Sequence, residues 1–286
     1  MIDKFGIISH NVVSLRAEPN NGSEQVSQAI IGDKVGITEE TDDYYFVSMD
    51  DSYQGWVYKS QIQLDISLPD RLIRSIFCPK KRVLEPFIRV YSEPSSLSST
   101  VTLLSYWSPF DVLENLGEFL KIEILGIAGY IHKNDDFIEV DRLPFPFSDI
   151  SKVALGFVGV PYLWGGTTPF GFDCSGFVQR VYLSVGVRLP RDAYQQFGFE
   201  LGDRISETED LECGDLVFFS GSKDPKNRGI THVGMMLDDR RLIHAYGKSG
   251  VSLATTQDEE IKKTYYYQGG WRLKLSEKQE FDDADL

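Results

Sequence analysis

The sequence predicts an α+β fold in which two small β-rich modules precede a larger domain of helices and antiparallel strands. Three observations predict this architecture. Short β-branched and aromatic runs occur in one pattern twice in the first half, with Glu-Pro pairs 75 residues apart at Glu18 and Glu93. Apolar residues at helical spacing follow residue 148, and strand-forming runs come last. Helices first and strands after them are typical of the α+β class.

Length and charge limit the possible functions. The chain has 286 residues, of which 42% are hydrophobic, so it is long enough for two or three domains with substantial cores. The net charge of −14 argues against nucleic acid, anionic lipid or an anionic wall polymer as the main ligand. We therefore expect no nucleic-acid or membrane partner and a small substrate with a free amine. Separately, we expect a monomer.

The cysteines and the N-terminus indicate the compartment. Cys78, Cys174 and Cys213 are odd in number and widely spaced, so neither a disulfide framework nor a zinc-binding pair is predicted. Residues 1–6 lack the features of a signal peptide, and no apolar stretch reaches membrane-spanning length. We expect a cytoplasmic protein without metal or organic cofactor, although a leader already removed would leave the same sequence.

The first half contains two copies of one plan. The first module, 1–66, has strand-like runs around its Glu-Pro turn and ends near Gly55-Trp56-Val57. The second module, 82–142, repeats the turn and ends near Gly129-Tyr130-Ile131, and 67–81 is interpreted as a linker. Two copies are too few for a solenoid, so we interpret them as two similar small barrels.

The rest of the chain is predicted to form one domain over 143–275, followed by an acidic tail at 276–286 that we expect to be disordered. Prolines at 144 and 146 mark its boundary, because proline continues neither a helix nor a central strand. The predicted elements are helices over 150–158, 174–186 and 191–199 and strands over 216–219, 231–237, 241–246 and 265–275.

One cysteine and two histidines of this domain are candidates for nucleophilic catalysis. Cys174 falls at the start of a helical pattern, where backbone N–H groups and the helix dipole favour a thiolate. His232 and His244 lie on successive predicted strands joined by a short turn, so their side chains can meet on one face. A cysteine peptidase needs a thiolate, an imidazole and a polar group that orients the imidazole. We interpret Cys174 as nucleophile, His232 as base and His244 as the orienting residue.

Each of these residues also has a structural interpretation. An isolated cysteine is more often a small buried hydrophobe than a nucleophile, and a single histidine is more often structural than catalytic. Zinc is a further alternative for one cysteine and two histidines, but the chain has no local pair such as CxxC or HxxxH. The order Cys, His, His over helix, strand and strand favours catalysis.

Five motifs together resemble those of the NlpC-type papain-like cysteine peptidases. They are Tyr162-Leu163-Trp164-Gly165-Gly166, Phe172-Asp173-Cys174-Ser175-Gly176-Phe177-Val178, Gly214-Asp215-Leu216-Val217-Phe218-Phe219, His232-Val233-Gly234 and Ile243-His244-Ala245. The two front modules resemble bacterial SH3-like barrels, the second more divergently than the first. The resemblance implies a papain-like peptidase core preceded by two small SH3-like β-barrels.

The whole chain resembles the γ-D-glutamyl-L-diamino-acid endopeptidases of peptidoglycan peptide recycling. The resemblance implies hydrolysis of the bond from the γ-carboxyl of D-Glu to diaminopimelate or lysine, in small peptides that begin with L-Ala. It implies Cys174, His232 and His244 as the catalytic set. The substrate-binding residues that it implies are Glu18 and Tyr53 in the first barrel and Tyr162, Trp164, Asp173 and Ser175 in the peptidase domain.

The implied binding residues have a physical rationale and a structural alternative. A carboxylate such as Glu18 or Asp173 would make a charge-assisted hydrogen bond to the substrate ammonium, and a peptide without that amine would leave the carboxylate unpaired. Alternatively, Glu18 only caps a turn, Trp164 belongs to the core and Asp173 is only a helix N-cap. In the expected mechanism the Cys174 thiolate, paired with protonated His232, attacks the γ-carbonyl, and the Cys174 backbone N–H holds the oxyanion.

Two positions depart from the family pattern. Ala193 stands where relatives carry a small hydroxyl residue, so one hydrogen bond to substrate is expected to be missing. The loop at Asp51-Ser52-Tyr53 has serine where Asp-Gly-Tyr is the pattern, a change in turn chemistry. Three other functions stay open: a secreted hydrolase of intact peptidoglycan, a non-catalytic wall-binding module, and an acyltransferase or amidase on the same core.

Overall fold

The computed structural model describes residues 4–64, 81–139, 144–199, 202–222, 229–258, 261 and 266–273. The described residues divide into two compact units, 4–139 and 144–273. Cys78, the predicted linker up to residue 80 and the predicted tail at 276–286 lie outside the described residues. Within the described residues, no helix has both the length and the apolar character needed to cross a membrane.

The first seven strands form one antiparallel sheet in the order β3-β2-β6-β5-β4-β1-β7. They are β1 (Lys4–Ile8), β2 (Val12–Arg16), β3 (Gln25–Ile30), β4 (Lys34–Glu40), β5 (Tyr44–Ser48), β6 (Gln54–Tyr58) and β7 (Ile62–Leu64). Side chains alternate between the two faces, so Val13 and Leu15 are buried while Arg16 is partly exposed. Every strand contributes to one hydrophobic core.

The next seven strands repeat this topology. They are β8 (Lys81–Val83), β9 (Phe87–Tyr91), β10 (Thr100–Ser105), β11 (Pro109–Asn115), β12 (Phe119–Ile124), β13 (Ile127–His132) and β14 (Phe137–Glu139). Their order, β10-β9-β13-β12-β11-β8-β14, equals that of the first sheet with every number raised by seven. The Glu-Pro turns also match, since Glu18 N donates to Ser23 Oγ at 2.8 Å and Glu93 N donates to Ser98 Oγ at 3.3 Å. The predicted repeat is therefore confirmed as two copies of one module.

The prediction of closed barrels requires a correction, because both modules are open sheets. Among the described residues, no pairing joins the edge strands of either sheet. Register shifts between Leu15 and Arg16 and between Ile37 and Glu39 bend and twist the first sheet around its core, but its edge strands β3 and β7 do not reach each other. A strongly twisted seven-stranded sheet encloses one core without its edges pairing.

The two modules pack against each other within the first unit. Asn11 Oδ1 accepts a hydrogen bond from Ser105 N at 3.0 Å, and Ile31 of the first module belongs to the core of the second. Gly32 has a positive φ of 91°, and a Cβ there would lie 2.5 Å from the Pro109 ring. Glycine therefore permits the close approach of the modules at this turn.

The described part of the second unit contains α-helices and a six-stranded antiparallel sheet in the order β17-β22-β18-β19-β20-β21. The helices are α1 (Ile150–Leu155), α2 (Cys174–Ser184) and α3 (Ala193–Gly198), and a small hairpin joins β15 (Thr167–Thr168) to β16 (Gly171–Phe172). The sheet strands are β17 (Gly202–Ile205), β18 (Leu216–Ser220), β19 (Ile230–Met236), β20 (Arg241–Tyr246), β21 (Gly250–Thr255) and β22 (Tyr266–Leu273). The predicted α+β class is confirmed.

Element boundaries differ from the predictions where glycine or capping decides them. Helix α2 ends at Ser184, before Gly186 at φ +86°, because glycine takes the left-handed conformation that follows a helix. Helix α3 begins only at Ala193, because Asp192 is its extended N-cap residue and Asp192 N donates a hydrogen bond to Gln195 Oε1 at 3.1 Å. Strands β17 and β21 were not predicted, because their short polar and glycine-containing runs resemble loops.

Candidate active site

The first turn of α2 holds the candidate nucleophile. Asp173 caps this helix, since its backbone is extended and its Oδ1 accepts a hydrogen bond from Gly176 N at 2.7 Å. The Gly166 carbonyl oxygen accepts from Asp173 N at 3.0 Å and would lie 2.1 Å from a Cβ at position 176. Only glycine at 176 allows the preceding loop to lie this close to the helix start. Cys174 is thereby placed at the helix N-terminus, with 8% of its surface exposed.

The two strand histidines form a buried pair. His232 on β19 and His244 on β20 are 3% and 2% exposed, and the distance from His232 Nε2 to His244 Nδ1 is 2.8 Å. The His244 ring stacks on Tyr246 with centroids 5.6 Å apart and planes within 10°. The predicted meeting of the two rings on one face of a hairpin is confirmed, and the bond fixes the orientation of His232.

The backbone of β19 connects this pair to the cysteine. The Val233 N–H lies close enough to the Cys174 sulfur to lower the pKa of the thiol. Since Val233 directly follows His232, this contact brings the strand segment that carries His232 to the thiol. Helix α2 packs on β19 and β20, and its Phe177, Val178 and Val181 are buried. The cysteine and the histidine pair therefore lie on elements that are packed together.

Burial keeps both reacting groups neutral in the free protein. It raises the pKa of the Cys174 thiol to about 12, and the Asp173 carboxylate adds to this effect. Donation from Val233 N–H, the Arg191 charge and the Ser175 N–H oppose the rise of the Cys174 pKa. Burial, and next the neighbouring His244, lower the pKa of His232 well below its ordinary value of 6.5. The neutral thiol–imidazole pair is therefore favoured over the expected thiolate–imidazolium pair.

Asp173 and Ser175, predicted to bind substrate, belong to a buried hydrogen-bond network. Asp173 Oδ2 accepts from Gly165 N at 3.0 Å and from Arg191 Nη2 at 2.5 Å. Asp173 Oδ1 accepts from Ser175 Oγ at 3.2 Å and from Arg191 Nη1 at 3.1 Å. The N-cap interpretation of Asp173 is thus correct, and the substrate-binding role of both residues stays a prediction.

Tyr162 and Trp164 lie in the loop that leads to the nucleophile. Tyr162 forms a β-bridge with Phe172, and Trp164 directly precedes Gly165, whose N–H donates to Asp173. Trp164 is 62% exposed, which excludes the alternative that it belongs to the core. An exposed indole next to a nucleophile turn suits a substrate contact.

Glu18 and Tyr53 lie at one end of the first sheet. Arg16 pairs with Trp56 in the antiparallel β2–β6 ladder, so Glu18, two residues beyond Arg16, lies at the end where β6 begins after Tyr53. The Glu18 carboxylate is exposed and accepts from Asn20 Nδ2 at 3.3 Å. Both residues belong to the first unit, so the structure leaves their predicted contact with substrate as a prediction.

The two positions that depart from the family pattern are Ser52, in a loop of the first module, and Ala193, at the start of α3. Ser52 adopts a φ of +64°, the left-handed region that favours glycine, so serine there costs about 1 kcal/mol of backbone strain. Ala193 is buried at the first position of α3, with 8% of its surface exposed.

The sequence interpretation did not identify Arg191 or Gln196 as part of this region. Arg191 is bound to Asp173 and Ser175, and Gln196 Nε2 donates to Ser175 O at 3.1 Å. The only available signal was their position after Pro190, which did not show that these polar side chains turn inward. Among the described residues, no group of three His, Cys, Asp or Glu side chains could hold a metal ion.

Comparison with known proteins adds family information to this geometry. Residues 159–270 match the model of the NlpC/P60 family, and residues 15–62 match the bacterial dipeptidyl-peptidase Sh3 domain. The first range contains the candidate catalytic residues, and the second contains Glu18 and Tyr53.

Two curated relatives bear on function. A γ-D-glutamyl-L-lysine dipeptidyl-peptidase of Bacillus cereus is 27% identical over 239 residues, which cover 79% of this chain and 68% of that protein. The murein DD-endopeptidase MepS/murein LD-carboxypeptidase of Escherichia coli is 38% identical over 182 residues, which cover 63% of this chain and 93% of that protein.

Two solved structures share the fold. A crystal structure of an NlpC/P60 family protein from Bacillus cereus has a TM-score of 0.78 at 22% identity, covering 94% of this chain and 99% of that one. An NlpC/P60 endopeptidase from Photobacterium damselae has a TM-score of 0.61 at 17% identity, covering 96% of this chain and 72% of that one. At these identities the likeness establishes the papain-like fold with an N-terminal SH3 domain.

Proposed function

The chain belongs to the NlpC/P60 family, and from this premise we propose that it is a cysteine endopeptidase acting on small peptidoglycan-derived peptides. The bond that it hydrolyses in this proposal joins the γ-carboxyl of D-Glu to an L-diamino acid, diaminopimelate or lysine, in peptides with a free N-terminal L-Ala. A relative named γ-D-glutamyl-L-lysine dipeptidyl-peptidase supports the choice of bond.

One observation carries the catalytic part of the proposal. His232 Nε2 lies 2.8 Å from His244 Nδ1, while the N–H of the next residue, Val233, is near enough to Cys174 to lower the pKa of its thiol. Because His244 engages Nε2, we assign the His232 Nδ1 atom to proton exchange with Cys174. A buried base held by a second polar ring next to a helix-start thiol is the arrangement that nucleophilic catalysis requires.

The neutral resting pair determines the order of proton transfers. The Cys174 thiol gives its proton to His232 as the sulfur attacks the γ-carbonyl carbon and forms an S–C bond. The resulting oxyanion is stabilised by the Cys174 backbone N–H at the start of α2. When the C–N bond breaks, His232 gives its proton to the leaving amine of the diamino acid. Water then attacks the thioester carbonyl with His232 as base, which releases the acid and restores the thiol.

We further propose that the Glu18 carboxylate binds the free N-terminal amine of the substrate. Its exposed carboxylate lies at the same sheet end as Tyr53 and can accept a charge-assisted hydrogen bond from an ammonium group. Tyr162 and Trp164 are proposed to contact the substrate near the nucleophile. A role in recycling, a cytoplasmic location and a monomeric state complete the proposal, and fractionation with size-exclusion chromatography tests the latter two.

Mass spectrometry of products from a panel of muropeptides tests the proposed bond. The panel contains L-Ala-γ-D-Glu-diaminopimelate, its lysine analogue, N-acetylated versions of both, and intact sacculi. We expect release of the diamino acid from the free-amine peptides and none from the Cys174→Ala protein. Fragments from intact sacculi would instead support the murein endopeptidase activity named for the Escherichia coli relative.

The duplicated module offers a matched control for amine reading. Glu93 occupies the turn position of Glu18 in the second module, with the same backbone bond to a serine hydroxyl. We expect Glu18→Ala to lower kcat/KM for free-amine peptides about tenfold or more, since a hydrogen bond to a charged group contributes about 1.5–3 kcal/mol. Glu93→Ala should leave kcat/KM unchanged. Equal cleavage of free and acetylated peptides by the wild type would contradict the amine-reading role.

A further inference from the structure

Arg191 is a buried arginine that bonds to the residues on both sides of Cys174 in the sequence. Its side chain is almost fully buried, at 1% exposed, and its two terminal nitrogens both bond to Asp173, at 2.5 Å and 3.1 Å. Arg191 Nη1 also donates to Ser175 Oγ at 2.9 Å. The guanidinium therefore forms a bidentate fork with the residue before Cys174 and a third bond to the residue after it.

The Asp173 carboxylate joins three parts of the unit around the cysteine. Besides Arg191, it accepts from Gly165 N of the preceding loop, from Gly176 N of the helix and from Ser175 Oγ. These five bonds hold the loop, the first turn of α2 and the segment after Pro190 in one arrangement. Loss of any donor would leave a buried carboxylate partly unsatisfied next to the nucleophile.

The segment that carries Arg191 makes a second hydrogen-bonded contact with the start of α2, through Gln196. Gln196 is fully buried, and its Nε2 donates to the Ser175 carbonyl at 3.1 Å and to the Pro190 carbonyl at 2.8 Å. Ser175 is therefore held at its hydroxyl by Arg191 and at its carbonyl by Gln196. Cys174 lies between two residues, Asp173 and Ser175, that have little freedom to move.

Charge balance gives Arg191 a second effect on the thiol. The Asp173 carboxylate disfavours a thiolate at Cys174, and the Arg191 cation favours one. A buried ion pair is weak support for stability, because desolvation of both charges offsets their attraction. Arg191 is bonded to the residues directly before and after Cys174, and this placement points instead to a role in the reactivity of Cys174.

We propose that Arg191 is a positioning residue for the nucleophile: it fixes Asp173 and Ser175 on either side of Cys174 and balances the carboxylate charge beside the thiol. The inference rests on the proposed function only in taking Cys174 as the nucleophile. Arg191 touches neither substrate nor a reacting atom in this role, so its effect is on the rate of the chemical step rather than on binding.

Alkylation by iodoacetamide tests this role without any peptide substrate. The measurements use full-length protein with Cys78→Ser and Cys213→Ser, so that Cys174 is the only thiol, and rates are taken from pH 6 to 10. Arg191→Gln leaves the carboxylate unbalanced, and at pH 8 we expect alkylation about fivefold or more slower, because the thiolate fraction changes tenfold per pKa unit. Asp173→Asn leaves the cation unbalanced and should accelerate alkylation by a similar factor.

A double variant tests whether the two charge effects cancel, and a variant of a neighbouring arginine is the control. Asp173→Asn with Arg191→Gln should return the rate at pH 8 to within about twofold of the parent, since the two charge effects cancel. Arg188→Gln, an exposed arginine three residues earlier, should leave the rate unchanged. A purely structural role would slow both single variants or neither, so rate changes of the same sign in both, or no change in either, would overturn the proposal.

Thermal melts establish that each variant is folded. If Arg191→Gln does not melt cooperatively, the other variants decide, because the proposal still requires faster alkylation in Asp173→Asn and a return toward the parent rate in the double variant. In peptide cleavage, Arg191→Gln should lower kcat and change KM less than twofold; a raised KM with unchanged kcat would show that Arg191 binds substrate. If the single variants show the expected changes in alkylation rate but the parent protein cleaves no peptide, the result would contradict the proposed function and leave the role of Arg191 supported.

Discussion

At His232, the requirements of folding and of catalysis act on one imidazole. The ring is 3% exposed and bonded to His244, so folding favours its neutral form. Catalysis needs the same ring to accept a proton from Cys174 during attack. Charge on His232 is therefore favourable only when a nearby oxyanion or thiolate balances it, which restricts protonation of His232 to the reaction itself.

The buried neutral state of His232 predicts a pH-dependent stability. Its folded pKa is depressed below 6.5, so between pH 6.5 and the folded pKa the unfolded chain binds more protons than the native protein. We expect the free energy of unfolding, measured by urea titration, to fall as pH falls below 6.5, by up to about 1.4 kcal/mol per pH unit from this group. His232→Gln removes the titrating ring and should show a shallower decline between pH 6.5 and 5. An equally steep decline in that variant would assign the effect to other groups.

At the same scale, the sequence could predict the placement of residues with local signals but not of residues without one. Cys174, His232 and His244 stand out because a helix start and two paired strands bring their chemical types together. Arg191 gives no such signal, since its burial depends on how the chain folds back after Pro190. Neutralisation of the thiol likewise depends on packing around Cys174, which no local pattern encodes.

At the scale of elements, the start of α2 depends on contact between two glycines. A Cβ at Gly176 would lie 2.1 Å from the Gly166 carbonyl oxygen and 3.1 Å from the Asp173 carboxylate. The obstructing atom belongs to the backbone, so a side chain at 176 cannot be accommodated by rotation. The loop and helix must separate to admit it, and the Asp173 cap bond to Gly176 N would then lengthen.

Gly176→Ala is therefore expected to destabilise the second unit by at least about 2 kcal/mol, the cost of overpacking against backbone. It should also slow alkylation of Cys174, because the helix start moves. Gly198, the last residue of α3, is the matched control: no atom lies within 4 Å of a Cβ there, so Gly198→Ala should change stability by less than about 1 kcal/mol. Chemical denaturation measures both variants, and equal stability of the two proteins would contradict the contact argument.

The elements themselves were partly predictable. Alternation and helical spacing predicted α2, β18, β19 and β20, whose apolar runs are long and buried. The closure of each module was not predictable, because it depends on the sum of strand twist and bulges over seven strands. Local patterns specify which residues face the core and leave the edges of the sheet undetermined.

At the scale of the whole molecule, one module topology serves twice and its copies have diverged in the residues that matter here. Glu18 and Glu93 occupy equivalent turns, but Tyr53 has no tyrosine counterpart before Gly129, where Ile127 stands. Residues 15–62, in the first copy, match the dipeptidyl-peptidase Sh3 model. The turn bonds of both copies use the backbone N–H of the glutamate, so they do not depend on its carboxylate.

Separation of the units tests whether amine selectivity comes from the first module. The second unit has its own hydrophobic core, including Val217, Phe219, Met236 and Leu242, so a chain that begins at Pro144 is expected to melt cooperatively. Its Cys174 should react with iodoacetamide, since the nucleophile, the histidine pair and Arg191 all lie within it. Its ratio of kcat/KM for free-amine over N-acetylated peptide should fall to about one, from about tenfold or more in the full chain.

The full-length Glu18→Ala protein is the control that separates loss of a module from loss of a carboxylate. In the proposal both proteins lose the same discrimination, because one carboxylate provides it. If the isolated unit keeps the preference for a free amine, the group that binds the amine lies within the second unit, where Asp173 is the candidate carboxylate. If Glu18→Ala keeps the preference and the isolated unit loses it, another group of the first unit reads the amine, and Tyr53→Phe is the next variant to measure.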